Sequence, residues 1–266
     1  MTRIFLAGDS SVAGRQAGKA PMAGWGQTLQ LFVRGAEVIN CARAGASSRS
    51  FLERGRLAWI LENAAAGDLL LVSFGLIDKQ PLDGRFTEPF EAYQGFLRQY
   101  VNAARDRGVH PVLVTSHERR VFDKYGNMRR PLGQYPAAVR EVAAQLAVPL
   151  IDLNEWSVAR WRQAGPDGTK ALFLHLEPGE HPNYPEGVAD NTHLRAHASL
   201  ECSRFIAAEM QARGLLAPTH FRDLAAAFDP DRAVAYLPDE VFDRRTRERV
   251  APVRRRPTRA GRTPPR

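Results

Sequence analysis

The chain has 266 residues, 44% of them hydrophobic, two cysteines (Cys41 and Cys202) and a formal net charge of +8. That length suits one large domain with or without an extension, the two cysteines exclude a disulfide framework, and no apolar stretch reaches the length of a membrane span or of a secretory leader, so a cytoplasmic protein with no membrane partner is expected. The basic excess is concentrated in residues 251–266, whose six arginines, set aside, leave residues 1–250 near neutral at +2, and no nucleic-acid partner is expected.

In chain order, the first element is the apolar run RIFLA (3–7), which passes directly into Gly8-Asp9-Ser10-Ser11. An amphipathic stretch at 25–34 precedes a second apolar run, AEVINCA (36–42), and the polar segment RAGASS (43–48). Helical spacing over 49–64 leads to DLLLVSF (68–74) and then GLIDKQ (75–80). Phe90, Tyr93, Phe96, Leu97, Tyr100 and Val101 recur at helical spacing within 88–107. HPVLVTS (110–116) is followed by HERR (117–120), a helix over 135–147, PLIDL (149–153) and a last long helix over about 195–213. Continuous apolar runs of this kind suit parallel strands buried on both faces. Their alternation with helices predicts an open, doubly wound α/β sheet, in which ligands sit outside the carboxyl ends of the strands. Beyond Leu216 the pattern weakens. Three regions are therefore expected: a domain over 1–216, an extension over 217–250 partly packed on the body, and a disordered Arg/Pro-rich tail over 251–266.

A serine nucleophile needs a base, a group that orients the base, and donors for the oxyanion. Ser10 follows the first strand at the ligand edge. Asp190 and His193, in DNTH, are three residues apart just before the last helix, a spacing that lets the carboxylate reach the imidazole within one turn. Gly45, without a side chain, can bring a backbone N–H close to a substrate. Taken singly, GDSS reads as an ordinary turn and DNTH as a helix N-terminus capped by Asp190 or Thr192. Together, on separate strands, they read as one site. His193 and His197 have a spacing that permits shared metal ligation, with His175 and Glu177 or Glu180 to complete it. The triad consumes His193, and no metal is expected. Neither G-x-G-x-x-G nor a phosphate-binding Gly-Lys-Ser/Thr ending occurs, so no nucleotide or other cofactor is expected.

FLAGDSSVAG, AGWGQTL (23–29), NCARAGASSRSF (40–51), SFGLIDKQP (73–81) and PGEHPNYPEGVADNTHLRAHAS (178–199) resemble, in order, the blocks of the GDSL/SGNH hydrolases, in particular the rhamnogalacturonan acetylesterase branch. The resemblance spans roughly residues 3–215. It implies a flavodoxin-like three-layer α/β/α sandwich and hydrolysis of small acyl esters, commonly acetyl groups, on a carbohydrate or related polyol. It places the nucleophile at Ser10, oxyanion N–H groups at Ser10 and Gly45, and the acid and base at Asp190 and His193. Relatives usually read Gly-His-Asn-Asp in the third block, where this chain has Gly75-Leu76-Ile77-Asp78. Ile77 thus replaces the Asn whose side chain donates to the oxyanion, a loss on the order of 100- to 1000-fold in turnover. A slow enzyme or an activated ester, another donor such as Lys79 or Gln80, and a non-catalytic carbohydrate- or ester-binding descendant are the three explanations. An acyltransferase using the same acyl-serine is a further alternative. Within and beside the blocks, Asp9, Trp25, Asp78, His181 and Tyr184 are the substrate-binding candidates, and the expected partner is a small-molecule or oligosaccharide ester.

Overall fold

In the computed structural model, which describes residues 1–81 and 84–250, five parallel strands form the central sheet. β1 (Thr2–Gly8), β2 (Ala36–Asn40), β3 (Leu69–Ser73), β4 (His110–Val114) and β5 (Leu150–Ile151) stand in the order β2-β1-β3-β4-β5. This is the flavodoxin-like order, with its topological switch point between β1 and β3. Alternation along each strand divides the core into two layers. Ile4, Leu6, Leu69, Leu71, Val112 and Val114 face one side, and Phe5, Ala7, Leu70, Val72 and Leu113 face the other.

The second set packs against α1 (Ser48–Glu53), α2 (Arg56–Asn63), α3 (Gln94–Arg105) and α4 (Tyr135–Gln145) through Phe51, Ile60, Leu97, Tyr100 and Val142. The first set packs against α5 (Leu153–Gly168) and α6 (Ala196–Ala212) through Trp161, Cys202, Ile206 and Met210. Layers on both faces give the expected three-layer sandwich.

Several elements depart from the periodicity. The stretch expected as a helix over 25–34 is two single 3-10 turns, Trp25–Gln27 and Leu29–Phe32. The N–H groups of Trp25 and Gly26 donate to Ser11 and Val12 carbonyls instead of starting a helix. The expected helix over 49–64 breaks into α1 and α2 at Gly55, which has φ +70°. α5 is an unforeseen helix, bent at Gly165–Pro166. An antiparallel pair, β6 (Phe173–Leu176) and β7 (Val188–Leu194), was also not foreseen. DNTH therefore lies on β7, not at a helix start.

The 217–250 segment carries α7 (Pro230–Ala233) and α8 (Asp239–Glu248) and buries Phe221 and Val234. Residues 251–266, read from the sequence as a disordered tail, lie outside the described residues. No described helix is long and apolar enough to cross a membrane.

At Gly8, where β1 delivers the chain to the ligand edge, a Cβ would lie 2.4 Å from a Val12 methyl and 2.7 Å from the Ser73 carbonyl oxygen. The second obstacle is backbone at the end of the central strand, paired with Gly8 itself, and has little freedom to retreat. Gly8→Ala is therefore expected to destabilise the fold by about 1–3 kcal/mol, read from urea unfolding monitored by circular dichroism; an unchanged midpoint would contradict this account.

Candidate active site

Past Gly8 the chain turns sharply, with Asp9 O accepting from the N–H groups of Val12 (3.3 Å) and Ala13 (3.0 Å). The Asp9 carboxylate is fully buried. One oxygen accepts from Ser11 N–H and Ser11 Oγ, both at 2.8 Å, and the other from Leu76 N–H at 3.2 Å. Burial raises its pKa, opposed by these donors and by the charge of His193. Arg15 folds back beneath the turn and donates through Nη2 to the Ser10 carbonyl (2.7 Å) and through Nη1 to the carbonyls of Ala13 and Gly14 (3.1 Å each). Burial lowers the Arg15 pKa to about 10, which leaves a cation at neutral pH. The Ser10 backbone is thus fixed from both sides, and the residue is nearly buried, at 5% exposure.

The loop after β2 is tied to the same turn, because Arg43 N–H donates to Gly8 O at 2.9 Å. Gly45 has φ +79°, in the left-handed region, with nothing within 4 Å of where a Cβ would sit. Its conformation, not crowding, is what asks for glycine. Among the described residues, neither the Ser10 N–H nor the Gly45 N–H has a hydrogen-bond partner.

The loop after β3 is held by Asp78, also fully buried. Asp78 Oδ1 accepts from Ser48 Oγ (2.5 Å), Ser48 N–H (3.0 Å) and Thr87 Oγ1 (2.8 Å). Burial raises its pKa to about 6, against the pull of Ser48 and Thr87. Tyr135 Oη donates to the Asp78 carbonyl, and Tyr100 Oη to the Ser48 carbonyl. Between them, Leu76 is buried and Ile77 half-buried. Lys79 is committed to the Pro131 carbonyl through Nζ at 2.5 Å.

β7 brings the remaining pair. Asp190 Oδ2 accepts from His193 Nδ1 at 2.6 Å, while Oδ1 accepts from the backbone N–H groups of Thr192 (2.7 Å) and His193 (3.0 Å). The spacing of three closes here through a local carboxylate turn at the register shift within β7, not through a helical turn. The loop after β4 steadies the strand, with Arg119 Nε on Thr192 Oγ1 and Arg120 N–H on Asn191 O. Ala23 N–H to Leu194 O (2.9 Å) and a Met22–Arg195 bridge dock β7 beside the turn that carries Ser10. Burial raises the pKa of Asp190, but the bond and charge of His193 and the two backbone donors outweigh it and leave about 2.

His193 lines a cleft of about 320 Å³ with Arg15, Met22, Arg43, Ala44 and Phe242. No hydrogen bond joins Ser10 to His193.

Three of the five substrate-binding candidates are corrected. Asp9 and Asp78 face inward and spend their oxygens on protein donors, and Trp25 is fully buried in the core. Tyr184 sits beside Lys19, which lines the cleft, and His181 lies next to Tyr184 with ring centroids 6.2 Å apart. His181 Nδ1 accepts from Asn183 N–H, and Tyr184 Oη donates to the Lys19 carbonyl. His197 turns away to Glu201 Oε1 at 3.2 Å, and His175 Nε2 bonds Asn191 Oδ1 at 2.8 Å. Sequence reasoning missed Arg15, which stands out only as a basic residue inside the small-residue run VAGRQAG. It also missed Phe242, which belongs to a stretch with weak periodicity.

The GDSL-like Lipase/Acylhydrolase family matches residues 6–187. Rhamnogalacturonan acetylesterase RhgT of Bacillus subtilis (strain 168) is 43% identical over 219 residues, which cover 82% of this chain and 93% of that protein. YesY of the same organism is 33% identical over 214 residues, 80% of this chain and 94% of that protein. Among solved structures, YxiM of Bacillus subtilis superposes with a TM-score of 0.67 at 25% identity, over 80% of this chain and 57% of that one. A lipase/acylhydrolase from Enterococcus faecalis superposes with a TM-score of 0.55 at 20% identity, over 80% and 97%.

Because the folded-state pKa of Asp190 lies below its ordinary value of 3.8, its contribution to stability is present above that value and is lost as pH falls through about 2. The stability difference between the parent and Asp190→Asn should therefore shrink between about pH 4 and pH 2. Urea midpoints measured across that range check it, and a constant difference would contradict the pair.

Proposed function

We infer the reaction from one premise: the chain belongs to the GDSL-like lipase/acylhydrolase family. It is a carboxylic ester hydrolase. Its substrate is an acetylated carbohydrate or related polyol, the reading supported by 43% identity to a protein named for rhamnogalacturonan deacetylation.

Ser10 Oγ attacks the acyl carbonyl. His193, whose Nδ1–H is spent on Asp190, takes the serine proton through Nε2. The oxyanion develops toward the unpartnered N–H groups of Ser10 and Gly45. His193 then returns the proton to the leaving sugar oxygen, and the acyl-serine is hydrolysed by a water that the same imidazole activates. The Ser10–His193 bond forms when substrate is seated, since such bonds are commonly long in empty enzymes and tighten in the complex. The observation that carries this assignment is the 2.6 Å Asp190–His193 bond, which fixes the imidazole tautomer at the edge of the cleft. The apolar Ile77 leaves two backbone donors where relatives add an Asn side chain. The reaction therefore runs with less oxyanion stabilisation.

Ser10→Ala is expected to lower kcat on p-nitrophenyl acetate by about 10⁴-fold or more, and Asp190→Asn by about 10⁴-fold. Initial rates at saturating ester check both, and a parental rate in Ser10→Ala would overturn the assignment. Ile77→Asn is expected to raise kcat, by up to about 10²–10³-fold, with little change in KM. Should kcat stay level while the parent is already fast, a different group supplies the third donor.

A further inference from the structure

α8 lies outside the family-matched segment 6–187, yet it lines the cleft that holds His193. We propose that α8 is a substrate-selecting wall. Phe242 and Asp243 close one side of the cleft, so that the enzyme deacetylates short oligosaccharides and chain ends and turns away the interior of a polymer. This rests on the esterase reading above.

The helix is tied to the body at both ends. Before it, Leu237 O accepts from Ala17 N–H at 2.8 Å, and in its first turn Asp239 Oδ1 accepts from Gly18 N–H at 2.9 Å. At its far end Thr246 O accepts from Arg56 Nη2 at 3.1 Å, and Arg249 Nη1 donates to Asn40 O. Ten residues of α-helix span about 15 Å. α8 thus bridges from the segment after the Ser10 turn to the end of β2, which are the two segments that also line the cleft. Asp239 and Glu240 lie in its first turn and Arg245 and Arg247 in its last, where each suits the helix dipole.

Phe242 rests on Gly14, where a Cβ would lie 3.6 Å from the ring edge. Phe242, Asp243 and Thr246 line the cleft together with Met22, Arg43 and His193. At about 320 Å³ the space is at the small end of ligand sites, which run from about 300 to 1,000 Å³. A residue inside a polymer needs chain to leave the site in two directions, and a helix tethered at both ends blocks one of them. A chain end or a short oligosaccharide needs only one.

The test compares kcat/KM, per acetyl group, on acetylated rhamnogalacturonan and on tetrasaccharides cut from it, with p-nitrophenyl acetate run alongside. The proteins are the full chain, Phe242→Ala, which opens the wall, and Asp243→Trp, which adds bulk at an exposed position. The parent should favour the tetrasaccharide at least tenfold. Phe242→Ala should raise the polymer-to-tetrasaccharide ratio at least tenfold, and Asp243→Trp should lower it at least threefold. Circular dichroism melts report whether each variant folds; if Phe242→Ala does not, Asp243→Trp decides alone. A parent that takes polymer and tetrasaccharide equally, or folded variants whose ratio stays within twofold of the parent's, overturns the wall. If the parent hydrolyses none of the three esters, the esterase reading fails and the proposal falls with it.

Discussion

Two buried carboxylates, satisfied mainly by neutral donors, hold the ligand edge of the sheet together. Asp9 accepts from Leu76 N–H, and Asp78 from Ser48 N–H and Thr87 Oγ1. A carboxylate taken out of water is tolerated only when its oxygens are filled. Here the donors come from neighbouring loops, so a shift of any one would orphan a buried acid. The cost of burial thereby becomes a positional constraint on the loops after β1, β2 and β3 at once. Burial raises the pKa of both acids, that of Asp78 to about 6, which shows how strongly the site resists charge there.

The candidate acid–base pair arrives from a different unit. Asp190 and His193 sit on β7, in a two-stranded sheet outside the main one. Backbone bonds from Ala23 to Leu194 and from Ala196 to Pro21 bring that strand to the segment that follows the Ser10 turn. Arg15 works from below, bonding the Ser10 carbonyl with a guanidinium that burial does not neutralise. Ser10 and His193 are therefore held by separate hydrogen-bond systems that meet across residues 10–23.

The extension changes what the cleft can hold. A doubly wound sheet leaves its ligand edge open between loops, a shape that accepts a long chain lying across it. α8 occupies part of that edge, resting Phe242 on Gly14, with Asp243 lining the same cleft as Lys19 and Arg43. Selectivity for the alcohol half of the ester is then carried by a part of the chain that takes no part in the chemistry.

The sequence by itself determined the parallel sheet, the edge at which to look and the chemical groups there. Strands buried on both faces must be continuously apolar, and polar, glycine-bearing turns such as GDSS and RAGASS mark where they end. The pairing of Asp190 with His193 was legible because it is local, only three residues long. Tertiary structure alone decided the rest. DNTH lies within β7, at its register shift against β6, because the pairing on either side of it outweighs the local signal for a helix cap. Asp9, Asp78 and Trp25 look inward, because their partners or packing neighbours lie tens of residues away or more: Leu76 for Asp9, Ser48 for Asp78, and Ser203, whose Oγ bonds the Trp25 carbonyl. α8 became a wall of the cleft through contacts that span about two hundred residues of chain, such as Gly18 with Asp239. Periodicity reports what each segment buries, and it carries no information about which distant segment will do the burying.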